Sequence, residues 1–121
     1  MLAYLIARSQ VPQVYLDRFL FIDDDVRRRY HAMVNCLDDV FGNVSQALME
    51  KGMWDDLLWV TSSDNGGPIY AGGGANNWPL RGAKFAEFEG GYRVNAFVSG
   101  GYLPDIQRGN VTEEYIHVSD W

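Results

Sequence analysis

A chain of 121 residues, 47% hydrophobic, suits one globular domain or part of one and leaves no room for two. Sixteen acidic against ten basic residues give a net charge of -6, which excludes the broad basic face that gathers a phosphate backbone, and with it a nucleic-acid partner. The lone cysteine, Cys36, excludes an internal disulfide framework, and no CxxC or Cys/His cluster offers a structural zinc site.

In chain order, the first element expected is a core strand over Leu2 to Ala7. This apolar run has no basic region before it and no small-residue cleavage pattern after it, so it does not read as a signal peptide. It is also far shorter than the ~20 apolar residues that span a bilayer. A strand so near residue 1 leads to the expectation of a chain that starts inside a domain. An extended link through Val11-Pro12 follows. Residues 27 to 51 then carry apolar side chains at Tyr30, Met33, Val34, Leu37, Val40, Phe41, Val44, Ala47 and Leu48, spaced by threes and fours, which predicts an amphipathic helix. Asp23 to Asp25 supply its N-cap and suit the positive end of its dipole, and Gly52 suits a left-handed residue past its C-terminus. Arg27 to Arg29 read as solvated partners of the neighbouring aspartates.

Leu57-Leu58-Trp59-Val60-Thr61 is a nearly unbroken apolar run, which predicts a strand buried on both faces of a parallel sheet. Strand, helix, strand is α/β organisation. From Gly66 to Gly91 glycine, asparagine and aromatic residues mix without period, so a long ordered loop is expected there, of the kind that carries function. Strands resume at Val94 to Val98 and Tyr115 to Val118, separated by Gly100-Gly101 and Pro104. Two glycosylation acceptor patterns occur, Asn43-Val44-Ser45 and Asn110-Val111-Thr112. Asn110 is the stronger candidate because Asn43 falls within the predicted helix.

Asp64-Asn65 follows the apolar strand at its carboxyl end, where open α/β sheets place ligands. A carboxylate and an amide carbonyl are hard oxygen donors suited to calcium or magnesium, and Gly66-Gly67 lets the backbone turn away. The same four residues are also ordinary turn chemistry. Even as metal ligands they are two donors where calcium takes roughly 6–8. Lys84 ends the segment Trp78-Pro79-Leu80-Arg81-Gly82-Ala83-Lys84. It is not a P-loop lysine, since Ala83 precedes it and Phe85 follows. Near a metal it could hold an anionic oxygen through a charge-assisted hydrogen bond.

Taken together, Ser63-Asp64-Asn65-Gly66-Gly67-Pro68, then Gly73-Gly74-Ala75-Asn76-Asn77 running into Trp78 to Lys84, then Glu89-Gly90-Gly91-Tyr92-Arg93, closely resemble the formylglycine-dependent sulfatases, particularly the arylsulfatase B-like branch. The likeness extends from Gln10-Val11-Pro12 through Tyr30-His31-Ala32-Met33-Val34 and Leu37-Asp38 to His117-Val118-Ser119-Asp120-Trp121. It implies residues 1–121 as the C-terminal part of one catalytic domain. The fold implied is an incomplete alkaline phosphatase-like (sulfatase) α/β sandwich, a mostly parallel sheet with flanking helices. It implies Asp64 and Asn65 as calcium ligands, Lys84 as a contact to the substrate sulfate, and Glu89, Gly90, Gly91 and Arg93 as a structural turn. It implies calcium-assisted hydrolysis of a sulfate ester in a lysosomal or secreted setting.

The departures are equally specific. The 121 residues contain no Cys-x-Pro-x-Arg run from which formylglycine would form, and Cys36 sits in Val34-Asn35-Cys36-Leu37-Asp38, read as a buried inert thiol. The family's paired aspartates and its His-x-Pro have no match, and His31 and His117 match no catalytic position. The chain by itself is therefore expected to be inactive. Two other classes stay open: a non-catalytic anion- or calcium-binding module, and a phosphate-ester metallohydrolase of the same superfamily.

Overall fold

The computed structural model describes residues 11–70 and 72–120, so the strand expected at Leu2 to Ala7 lies outside the described residues. Pro12, whose fixed φ suits a helix entry, precedes the short helix α1, Gln13–Leu16, and a 3-10 turn, Asp17–Phe19, continues from it. Both rest on the long helix α2, Asp25–Glu50. The contact is specific: Phe19 lies 5.7 Å from the His31 ring, and Arg18 donates to Asn35 Oδ1 at 2.8 Å and reaches Asp39 at 3.4 Å. Residues 31, 35 and 39 are four apart, so one face of α2 receives the turn. His31 is thus a packing residue.

Both ends of α2 have local causes. Asp24 is the N-cap, its Oδ1 accepting from Arg27 N at 2.7 Å. At the other end Gly52 takes φ +65°; its N–H bonds Met49 O and the Met53 N–H bonds Leu48 O, the paired closure of a Schellman motif. The three arginines differ from expectation. Only Arg29 pairs with an aspartate, Asp25, at 2.8 Å, and this holds the Asp25 carboxyl below its ordinary value. Arg28 donates to the Ile22 and Asp23 carbonyls, and Arg27 donates to Gly74 O at 2.6 Å. These carbonyls have no helical donor nearby, and a guanidinium fork reaches them where an exposed carboxylate would gain little.

Strand β1, Trp59–Ser62, begins two residues later than expected and pairs with β2, Ala96–Ser99, in register Trp59↔Ser99 to Ser62↔Ala96. The pair is antiparallel, and β1 is half-buried rather than enclosed on both faces. An apolar run specifies a strand but not the direction of its neighbour, which here is set by the return of residues 63–95. Phe41 of α2 fixes the pair to the helix, its ring 5.6 Å from Trp59 and 6.2 Å from Phe97. No strand forms at Tyr115 to Val118. Local bonds hold that backbone instead: Thr112 Oγ1 accepts from Glu114 N, and Asp120 Oδ2 accepts from His117 N, closing a 3-10 turn at Val118–Asp120.

Among the described residues the buried hydrophobic side chains are Ala32 and Ala83. Met33, Leu37, Val40 and Val44, a stripe along α2, are exposed, and Cys36 is half-buried rather than enclosed. No helix among the described residues is long and apolar enough to cross a membrane. With so little core, local caps carry a large share of the order in α2. Asp24→Ala should cost about 1 kcal/mol, read as a lower denaturation midpoint in helical circular dichroism, whereas Asp23→Ala, which makes no capping bond, should leave the midpoint within experimental error.

Candidate functional site

The site grows from the end of β1. Ser63 N still bonds Asn95 O at 3.3 Å, after which the Ser63 hydroxyl donates to Asn65 O at 3.0 Å and rounds the turn. Asp64 stands at the apex, exposed, and its carboxylate makes no hydrogen bond or ion pair among the described residues. Asn65 is half-buried, with its Nδ2 donating to Gly66 O at 2.9 Å, which sets Oδ1 on the other side of the amide. Two hard oxygen donors therefore adjoin at a strand end.

The next residues lie against bare backbone. Gly66 N donates to Gly91 O at 2.9 Å, and a Cβ on Gly66 would collide with the carbonyl oxygen of Gly90. Gly90 and Gly91 belong to α3, Glu89–Tyr92, where Gly90 in turn abuts the carbonyls of Arg81 and Gly82. Arg93 reaches back to Glu89 at 3.6 Å, and Arg93 N bonds Glu89 O. The Glu89 to Arg93 segment thus acts as a platform on which two loop strands lie at van der Waals distance.

Asn77 joins the two halves of the loop. Its Oδ1 accepts from Gly67 N at 2.9 Å while its Nδ2 donates to Gly67 O at 2.8 Å and to Gly82 O at 3.2 Å. The amide so copies the donor and acceptor of a peptide group and pairs with Gly67 as a neighbouring strand would. Lys84 N also bonds Gly67 O, at 3.3 Å. The backbone of Lys84 is therefore fastened to the turn that carries Asp64 and Asn65. Sequence reasoning assigned Asn77 no role; its signal was an amide side chain, able to satisfy both kinds of backbone group, inside a glycine-rich stretch.

Side chains diverge more than backbones. Asn65 lines a cleft of about 640 Å³ together with Tyr30, Asn76, Trp78 and Arg93. Lys84 lines an adjoining apolar hollow with Ile69, Tyr70, Phe85 and Phe88, its ammonium 5.4 Å from the Phe85 ring centroid. Tyr70 stacks on Phe85 and its hydroxyl donates to Lys84 O at 3.2 Å. Asp64 lines neither space. No group of three His, Cys, Asp or Glu side chains among the described residues is arranged to hold a metal. The donor set at Asp64 and Asn65 fits a hard cation in kind but supplies two of its ligands.

The sulfatase family profile matches residues 7–121, and the chain belongs to the sulfatase family. It is 42% identical over 112 residues to arylsulfatase J of Mus musculus, a match covering 93% of this chain and 18% of that protein. The crystal structure of Ps i-CgsB in complex with k-i-k-neocarrahexaose superposes with a TM-score of 0.73 at 33% identity, covering 78% of this chain and 21% of the other. A second crystal structure of Ps i-CgsB gives a TM-score of 0.72 at the same identity, over 78% and 20%. The fold is thus part of the α/β fold of those larger chains, and this chain spans about a fifth of their length.

The bare-backbone contact makes a sharp contrast between two glycines. Gly66→Ala should cost on the order of 1–3 kcal/mol, because backbone must move to admit the methyl group. Gly42→Ala, in the middle of α2 with nothing within 4 Å, should instead stabilise by about 0.5–1 kcal/mol. Urea midpoints of the two variants measure the difference.

Proposed function

We propose that this chain carries the sulfate-holding part of a calcium-assisted sulfuric ester hydrolase site, with Lys84 contacting the sulfate and Asp64 and Asn65 supplying two calcium ligands. The observation that carries this reading is the bond from Lys84 N to Gly67 O, which fastens the cationic loop beside the oxygen-donor turn at the end of β1. Calcium, when bound, would polarise sulfate oxygens. The chain's own contribution is electrostatic: an ammonium that lies over the Phe85 ring, and a turn held by α3. Residues 1–121 are one part of a single catalytic domain on this reading, which the share of the relatives' length and the exposed apolar stripe of α2 support. A lysosomal or secreted setting goes with it, as in the arylsulfatases that the chain resembles, and Asn110, exposed in a loop, is the proposed glycan acceptor.

By themselves these 121 residues should bind sulfate without turning an ester over, since they contain no Cys-x-Pro-x-Arg segment to supply the nucleophile. Assayed with an aryl sulfate and added calcium, the chain should show no hydrolysis above the buffer rate. Turnover that disappears in Lys84→Ala would overturn the assignment of inactivity. Lys84→Ala should weaken inorganic sulfate binding about tenfold or more, from the loss of a charge-assisted contact of ~1.5–3 kcal/mol. Calorimetry should find calcium binding weak, because water must complete most of the coordination shell. Submicromolar affinity abolished by Asp64→Ala would show that further ligands complete the site.

A further inference from the structure

Asn77 occupies a place that packing alone does not explain. It is half-buried, flanked by the exposed Asn76 and Trp78, and every polar atom of its side chain is spent on backbone. The three bonds span two segments: Gly67, two residues beyond Asn65, and Gly82, two residues before Lys84. Nothing else among the described residues makes side-chain hydrogen bonds to both segments. The Lys84 amide shares the Gly67 carbonyl with Asn77, so the amide that orients this carbonyl also orients the acceptor on which Lys84 is hung. Gly66, Gly67 and Gly82 have no side chains of their own with which to interlock. Without Asn77, the half-buried Gly67 N–H and the Gly82 carbonyl would need water or a shift of the loop to replace their partner, and the Gly67 carbonyl would keep the Lys84 N–H alone.

We propose that Asn77 is a positioning residue for sulfate recognition: its carboxamide sets the separation between the Asp64-Asn65 turn and Lys84, and so the place where the ammonium meets an oxyanion. This rests on the reading of Lys84 as the sulfate contact. Asn77 also lines the Asn65 cleft, but its carboxamide nitrogen and oxygen both bond backbone, so its part is to position rather than to bind. Its amide is required in full, because an aspartate at 77 keeps the acceptor for Gly67 N but turns oxygen lone pairs on the Gly67 and Gly82 carbonyls.

The test is hydrogen–deuterium exchange of the whole chain at low concentration, titrated with inorganic sulfate and read separately in α2 and in the segment around Lys84. In the unsubstituted chain sulfate should slow exchange around Lys84. Asn77→Ala and Asn77→Asp should each raise the sulfate concentration for half protection by about tenfold, with exchange in α2 unchanged. Asp24→Ala serves as the purely structural control: α2 should exchange faster while the sulfate midpoint stays put. A midpoint in Asn77→Ala within about twofold of the unsubstituted chain, alongside a large loss in Lys84→Ala, would overturn the role of Asn77 alone. An unchanged midpoint in Lys84→Ala, or no protection by sulfate at all, would overturn the Lys84 reading beneath it.

Discussion

The candidate site depends on backbone lying directly on backbone. Gly66 meets Gly90 and Gly91, and Gly90 meets the carbonyls of Arg81 and Gly82, so three loop segments share a space in which no Cβ would fit. Such contacts bury little apolar area and gain little from the hydrophobic effect. What they offer is closeness: peptide groups near enough to exchange hydrogen bonds, as Gly66 N does with Gly91 O and Gly90 N with Arg81 O. The positions of Asp64, Asn65 and Lys84 are consequences of that stacking. The loop between β1 and β2 is ordered by polar pairing more than by a core of its own.

Attachment of this loop to the rest of the chain uses the same means. Gly74 lies against the first turn of α2, where Arg27 donates to its carbonyl oxygen and the Tyr30 Cβ leaves no room for a side chain at 74. The helix thus holds the strands through Phe41 near its middle and the loop through Arg27 near its start. The cap at Asp24 closes the first turn of that helix, from which Arg27 reaches out. The exposed stripe of Met33, Leu37, Val40 and Val44 takes no part in either attachment.

Membership of the sulfatase family and the arrangement of Asn77 bear on each other. Specificity in such a site belongs to groups placed by a scaffold rather than to the fold. Here the placing group is an asparagine that mimics a peptide and fastens a cationic loop to an oxygen-donor turn. The divergence of the Asn65 cleft from the Lys84 hollow shows how much is left to side-chain torsions once backbones are fixed. A lysine with four rotatable bonds can cover that difference, whereas a short side chain could not.

The sequence by itself determined α2 almost to the residue, because its period, cap and Schellman glycine are all local. It also determined the family, through a run of glycines, Asn77 and Trp78-to-Lys84 too specific for chance. It misjudged elements that need a distant partner. The antiparallel pairing of β1 with Ala96–Ser99 was not legible, and Tyr115 to Val118 formed no strand, because strands exist only where a ladder is offered. Arg27 read as a surface charge until Gly74 came beside it, and Asn77 as a loop residue until Gly67 and Gly82 did. Hydrogen-bond partners ten or more residues away leave no period in a sequence; only the tertiary fold decided them.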